Sequence, residues 1–305
     1  MTFLALAGIS SGVTAETLAL GPGQLLVGSV EYYTTQSEDT LLDIARNNDL
    51  GYGQLITVNS ESDPWLPGAG QVIMLPKAYL LPDGPRKGIV IDLAAQRLYY
   101  FPADGKSLET YPIGTGDQVG MTPRGITRVV AKTIHPTWYP PPSIRAERPE
   151  LPIMVPPGPD NPLGNYALRL GWPGYLIHGT NKPYGVGRNV SHGCIRLYPE
   201  DIEKLFRQVP IGTPVRVIDE EIRIAWVGGE LYLALTPSHA QNDEISQNQP
   251  MSPAVPSDLF MRIGEAAGNQ VKRIDWPLVN WIADKRPGIP IAVTETSLPA
   301  GDVTP

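Results

Sequence analysis

Glycine and proline supply 31 and 33 of the 305 residues. That is about a fifth of the chain, well above the usual share of roughly 12%. They follow no three-residue period, so a collagen-like rod is excluded. Glycine opens backbone conformations closed to other residues, and proline stops helices and withholds a donor from sheets. A chain punctuated in this way folds as short extended segments joined by turns, a loop-rich and mainly β protein. Its length gives room for two domains and a small third piece. A hydrophobic content of 42% is that of a soluble globular protein. The formal charge of −7 argues against a nucleic-acid partner, because phosphate binding needs clustered Lys and Arg. No basic amphipathic helix points to a membrane surface, and no run approaches the ~20 apolar residues of a transmembrane span.

The first residues, MTFLALAGISSGVTAETLAL, have an apolar stretch from Phe3 to Ile9, small residues after it, and Val13-Thr14-Ala15 suited to signal-peptidase cleavage. Residues 1–15 read as the remnant of a signal peptide, although no basic residue precedes Arg46. The alternative is a disordered end. The expectation is an exported, soluble protein. In an oxidising compartment a lone cysteine, here Cys194, is either buried and inert or present for its reactivity.

Three segments follow. In residues 31–77, Tyr32–Thr35 reads as a strand, and Ser37 can cap a helix bearing Leu41, Leu42, Ile44 and Ala45. A second helix over Tyr52–Val58 and a strand over Gln71–Leu75 complete a βααβ unit. In residues 88–219, GIVIDL and QRLYYF flank a hairpin turn at Ala94-Ala95, and four more strands follow. Pro136–Pro162 holds ten prolines and reads as a long ordered loop or lid. A helix starting at Pro199 presents Ile202, Leu205, Phe206 and Val209 on one face. In residues 220–305, a hairpin turns at Gly228-Gly229, and Pro237–Asp258 is expected to loop out. Short helices are expected near Ser257–Ala267 and Trp276–Lys285, with a last strand at Pro290–Thr294.

The stretch HGTNKPYGVGRNVSHGCIRL, His178 to Leu197, concentrates the chemistry. A cysteine is nucleophilic as the thiolate, and a neighbouring imidazole can take its proton and later protonate a leaving amine. The imidazole needs an acceptor on its second nitrogen, and an oxyanion needs backbone donors. His178 ends an apolar strand sixteen residues before Cys194. Gly185, Gly187 and Gly193 let the chain turn back, and the amides of Gly193 and Cys194 can face an oxyanion. His192 competes for the role of base, since residues two apart on extended backbone share a face. His178, His192 and Cys194 could also be three zinc ligands, but no acidic residue lies in the stretch to complete the set. The glycines do not read as a phosphate loop, because no P-loop lysine follows.

These words resemble two known families. H-G-T followed by S-H-G-C-I-R-L, with PIGTG at 112–116, TPRG at 122–125 and PPGPDNPLGNYALRL at 156–170, resembles the L,D-transpeptidase (YkuD-type) catalytic domain. YTTQSEDTLLDIA and PGAGQVIMLP, with Glu38-Asp39 where Gly-Asp is usual and Asn59-Ser60 where Asn-Pro is usual, resemble a LysM peptidoglycan-binding module. The alternative there is a spacer that binds nothing. The resemblance implies a mainly β, β-sandwich-like catalytic domain with one substantial helix at 88–219, a βααβ LysM-like module at 31–77 and a small α+β piece at 220–305. It implies Cys194 as nucleophile, His178 as base, the Gly179 carbonyl orienting His178, and Gly193 at the oxyanion. His192 and Ser191 would shape the pocket, and Arg196 would meet a substrate carboxylate, its alternative being a salt bridge that anchors the strand. No cofactor and no metal are implied. The layout is similar to periplasmic Gram-negative enzymes that join an outer-membrane lipoprotein to peptidoglycan. Other acceptors would give 3→3 cross-links or L,D-carboxypeptidase action, and a non-catalytic wall-binding scaffold is the reading from another class.

Overall fold

The structure, a computed structural model, describes residues 17–116 and 122–294. The signal-like residues 1–15 lie outside the described residues. Nine strands form one mixed sheet in the spatial order Thr17–Ala19, Ser107–Pro112, Arg97–Phe101, Gly88–Asp92, Pro214–Ile218, Gly125–Ile134, Tyr166–Leu170, Leu176–His178, Ile195–Arg196. The expected hairpin is present: Ile89 lies opposite Tyr100 across the antiparallel pair, and Gln96 turns the chain at φ 47°. The far edge strand does not end in solvent. Arg196 and Gly114 exchange two backbone hydrogen bonds of 2.9 Å. Gly114 follows Ser107–Pro112, the second strand from the opposite edge, so the sheet curls back on itself and covers its open edge.

Seven α-helices accompany the sheet among the described residues: α1 (Leu41–Asn47), α2 (Tyr52–Val58), α3 (Pro142–Glu147), α4 (Pro199–Gln208), α5 (His239–Ser246), α6 (Leu259–Ala267) and α7 (Trp276–Lys285). α4 fills the curl. Its Ile202, Leu205 and Phe206 pack with Ile89, Leu98, Tyr111, Leu168 and Ile177 from the strands, one core. Each such fully buried aliphatic side chain contributes about 1.5–3 kcal/mol.

The strands Val30–Thr34 and Val72–Pro76 pair antiparallel around α1 and α2, with Leu41, Ile44, Leu50, Leu55 and Ile73 between them. α1 is capped by Thr40, whose hydroxyl accepts the Asp43 amide at 3.1 Å, rather than by Ser37. The chain is still turning at Ser37, because the Gln36 amide donates to Asp39 Oδ2 at 2.7 Å. This unit is docked on the sheet. Arg46 makes a two-point ion pair with Glu200 at 2.8 and 3.0 Å. Arg97 reaches the Asp49 carbonyl at 3.1 Å and Gln54 at 2.9 Å.

In the last segment Ile222–Val227 and Glu230–Leu235 form the expected hairpin, Ile291–Ala292 joins it, and α6 and α7 cover it through Leu259, Ile263, Val279 and Ile282. Pro237–Asp258 does not simply loop out. It contains α5, started by Ser238, whose hydroxyl accepts the Gln241 amide while Gln241 Oε1 accepts the Ser238 amide at 2.9 Å. The inward face of α5 is polar: Asn242 donates to the Ala94 carbonyl at 3.1 Å, and Asp243 accepts from Asn189 at 2.8 Å. Hydrophobic periodicity cannot register a face buried through such bonds. The proline-rich segment is an ordered lobe that contains α3, its neck closed by two backbone bonds between Trp138 and Val155.

Asp201, in the first turn of α4, is fully buried, and neither of its carboxylate oxygens has a hydrogen-bond partner among the described residues. Burial, reinforced by the negative charges of Asp49 and Glu200, pushes its carboxyl well above the ordinary value of 3.8. The folded chain therefore holds a proton that the unfolded chain releases, and this site loses stability as pH rises from about 4. Asp201→Asn is expected to be more stable than the parent at neutral pH, with the gain shrinking on acidification towards pH 4. Denaturant unfolding across that range checks the sign, and a gain that grows on acidification would refute it.

Candidate active site

His178 ends the strand Leu176–His178, which is antiparallel to Tyr166–Leu170 and parallel to Ile195–Arg196. Ile177 faces Ile195 and His178 faces Arg196 across the parallel pair. Side chains alternate along a strand. With Ile177 and Ile195 in the core, Leu176, His178, Cys194 and Arg196 share the other face. His178 Nδ1 donates to the Gly179 carbonyl at 2.6 Å. A carbonyl can only accept, so Nδ1 carries the proton of the neutral ring and Nε2 keeps its lone pair for a substrate-side proton. The Cys194 thiol lies 3.6 Å from the Gly174 carbonyl.

Burial sets the resting charge of both groups. Burial, and then the charge of Arg196, push the His178 imidazolium down to about 3, although the Gly179 and Leu163 carbonyls favour the proton. Burial also raises the Cys194 thiol, against the Leu176 amide and Arg196, which favour the thiolate. Both charged forms are disfavoured, so at rest Cys194 is a thiol and His178 a neutral imidazole. Arg196 makes no salt bridge among the described residues, and its Nε is buried without a partner. Burial lowers its pKa, with the Arg148 charge acting in the same direction.

The remaining expected residues are less directly placed. Ser191 Oγ donates to the Cys194 carbonyl at 2.7 Å and accepts the Gly193 amide at 3.1 Å, so that amide is turned inward. Gly193 holds φ at 101°, a conformation suited to glycine. His192, the competing base, is exposed and bonds through Nε2 to Glu147 of α3 at 2.9 Å. Its Nε2 is thus tied to the lobe, while the His178 ring is buried on the Gly179 carbonyl. Among the described residues no group of three or more His, Cys, Asp or Glu could hold a metal ion.

The turn that returns the chain to Cys194 is gripped from two sides. The Tyr52 and Gly53 amides, at the start of α2, donate to the Val186 and Gly187 carbonyls at 3.2 and 3.0 Å. Gly187 has φ 80°, and a Cβ there would fall 2.2 Å from the Tyr52 nitrogen. Asn189 is a buried hub that accepts from Gln96 at 2.7 Å and Thr115 at 2.6 Å. It donates to Asp243 of α5. Side-chain bonds to elements this distant leave no local pattern that a reading of the sequence could find.

A family model described as the L,D-transpeptidase catalytic domain matches residues 86–217. The probable L,D-transpeptidase YcfS of Escherichia coli K12 is 36% identical over 96% of this chain and 92% of its own. ErfK/SrfK of the same strain, also a probable L,D-transpeptidase, is 36% identical over 93% and 92%. A third from that strain, YbiS, is 40% identical over 72% and 74%. The chain belongs to the L,D-transpeptidase family. It is an enzyme of the acyl-transfer class, with a catalytic segment flanked by the α1–α2 unit and the α5–α7 segment.

The neutral resting pair predicts the pH dependence of the thiol. Alkylation of Cys194 by iodoacetamide is expected to keep rising through and beyond pH 9, because the thiol is raised. A plateau already reached near pH 7 would show a preformed ion pair and refute the assignment.

Proposed function

We propose that the enzyme acts on peptidoglycan tetrapeptide stems through a thioester on Cys194. The single observation that carries the reading is the buried His178, its Nδ1 held by the Gly179 carbonyl, on the strand beside Ile195–Arg196, which Cys194 immediately precedes. Cys194 Sγ forms a bond to the carbonyl carbon of the third stem residue, the L-centre of meso-diaminopimelate. His178 Nε2 takes the thiol proton as that bond forms, so charge appears only during attack, and then gives it to the departing amine of the terminal D-Ala. An acceptor amine next attacks the thioester, His178 takes its proton, and the Cys194 thiol is restored. The Cys194 amide supplies an oxyanion donor, joined by that of Gly193 once it leaves Ser191. Arg196, without an acidic partner among the described residues, suits a substrate carboxylate. Ser191, through the Gly193–Cys194 backbone, and His192, through Glu147, would shape the pocket.

The acceptor we favour is the terminal lysine of an outer-membrane lipoprotein, with residues 31–77 as a LysM-like module that holds glycan and the enzyme exported to the periplasm. The division 31–77, 88–219 and 220–305 serves as the working domain scheme. No helix among the described residues is long and apolar enough to cross a membrane. A neighbouring stem as acceptor would give 3→3 cross-links, and water would give L,D-carboxypeptidase products.

Intact-protein mass after incubation with a disaccharide-tetrapeptide tests the centre of this reading. An acyl adduct lacking D-Ala is expected, and none in Cys194→Ala. No adduct and no D-Ala release from folded protein would leave a non-catalytic wall-binding scaffold. The proline-rich lobe acts as the lid on the acceptor side, admitting an amine while disfavouring water. Deleting Pro140–Pro159 is expected to raise the ratio of hydrolysis to transfer, and an unchanged ratio in a folded variant would sink that role.

A further inference from the structure

Asn161 is fully buried, and the mechanism above makes no use of it. Its side-chain nitrogen donates to the carbonyls of Pro136, Pro156 and Val155 at 2.8, 3.1 and 3.2 Å. Those oxygens lie on both sides of the lobe's neck: Pro136 enters it just after the strand Gly125–Ile134, and Val155 and Pro156 leave it. The proline content makes such a clasp necessary. Prolines have no N–H, so the neck cannot be zipped by a backbone ladder, and Trp138 with Val155 forms its one bridge among the described residues. A side-chain amide supplies the missing donors.

The other end of the carboxamide faces the base. Asn161 Oδ1 accepts the Leu163 amide at 2.9 Å, a turn in which an Asx side chain fixes the backbone two residues on. Leu163 and Gly164 press directly on the backbone that holds His178. A Cβ on Gly179 would lie 3.5 Å from the Leu163 oxygen, and one on Gly164 would lie 2.9 Å from the Thr180 nitrogen. At the lobe's tip, Glu147 bonds to His192, two residues from Cys194. The lobe therefore meets the site twice, once at its tip and once through its neck.

We propose that Asn161 is a positioning residue that couples the lobe to the base, holding the two sides of the neck together and fixing the Leu163–Gly164 backbone against the His178–Gly179 pair. The inference rests on the reading of Cys194 and His178 as the reacting pair and of the lobe as a lid. Disturbing Asn161 should then alter proton transfer and water exclusion together, although the residue touches neither substrate nor thiol.

Two readouts test it in the full chain. The first is the ratio of Cys194 alkylation rates by iodoacetamide at pH 7 and pH 10, which reports base assistance without any peptidoglycan substrate, with His178→Ala as the floor. The second is the ratio of hydrolysis to transfer for a tetrapeptide donor and an amine acceptor. Asn161→Ala is expected to lower the first ratio about fivefold, towards the His178→Ala value, and to raise the second about threefold. Asn161→Ser keeps a hydroxyl acceptor for the Leu163 amide but loses the carboxamide donors. It should restore the alkylation ratio while hydrolysis stays raised. Folded Asn161→Ala with both ratios unmoved, or with only its thermal stability lowered, overturns the proposal. Should Asn161→Ala not fold, Asn161→Ser decides: raised hydrolysis with parental alkylation supports the coupling, and parental partitioning overturns it. Absence of acyl transfer in the parent would fail the substrate assignment alone, because alkylation still reads the link to His178. An alkylation ratio equal in the parent and His178→Ala would fail the pairing, and the coupling with it.

Discussion

The catalytic face depends on a parallel pairing only two residues long, Ile177 with Ile195 and His178 with Arg196. An edge strand so short has almost no hydrogen-bond ladder of its own, and it must be held by what surrounds it. The exchange of bonds between Arg196 and Gly114 holds it from the outer side. The α2 amides on Val186 and Gly187, and the Asn189 carboxamide between Gln96, Thr115 and α5, fix the turn that leads into it. Each of these contacts is polar and directional, which suits a segment that must be placed to a fraction of an ångström rather than simply buried.

That placement also bears on the charge of the lone cysteine. Burial removes water from His178 and disfavours its charge. Burial likewise disfavours the thiolate, so neither partner alone is strongly activated. In the proposed reaction, a substrate carboxylate at Arg196 would weaken the positive field on the imidazole and make it a better base in the complex than in the free enzyme.

Much of this was legible in the residues because it is local. The glycine and proline content announced strands and turns, the α2 range and the helix opening at Pro199 were readable from capping and periodicity, and His178, Gly193 and Cys194 stood out by spacing. The bond from His178 to Gly179 followed from family resemblance and is present at 2.6 Å. What escaped was long-range and polar. α5 carries Gln241, Asn242 and Asp243 inward, so its burial has no hydrophobic stripe, although the Ser238–Gln241 capping pair was a signal available in the chain. Asn161 and Asn189 act on backbone or side chains that no spacing rule links to them. The resting charges were equally illegible, because burial, a property of the fold, penalises both the thiolate and the imidazolium.

The contacts at Val186 and Gly187 also bear on where this enzyme begins and ends as a working unit. A piece cut to residues 86–217 would retain His178 and Cys194 yet lose Tyr52 and Gly53, and leave two carbonyls of the turn without those donors. It would also strand Asn189 without Asp243. The flanking units are thus walls around the turn as much as neighbours to it, and any force that displaces them is applied within a few residues of the thiol.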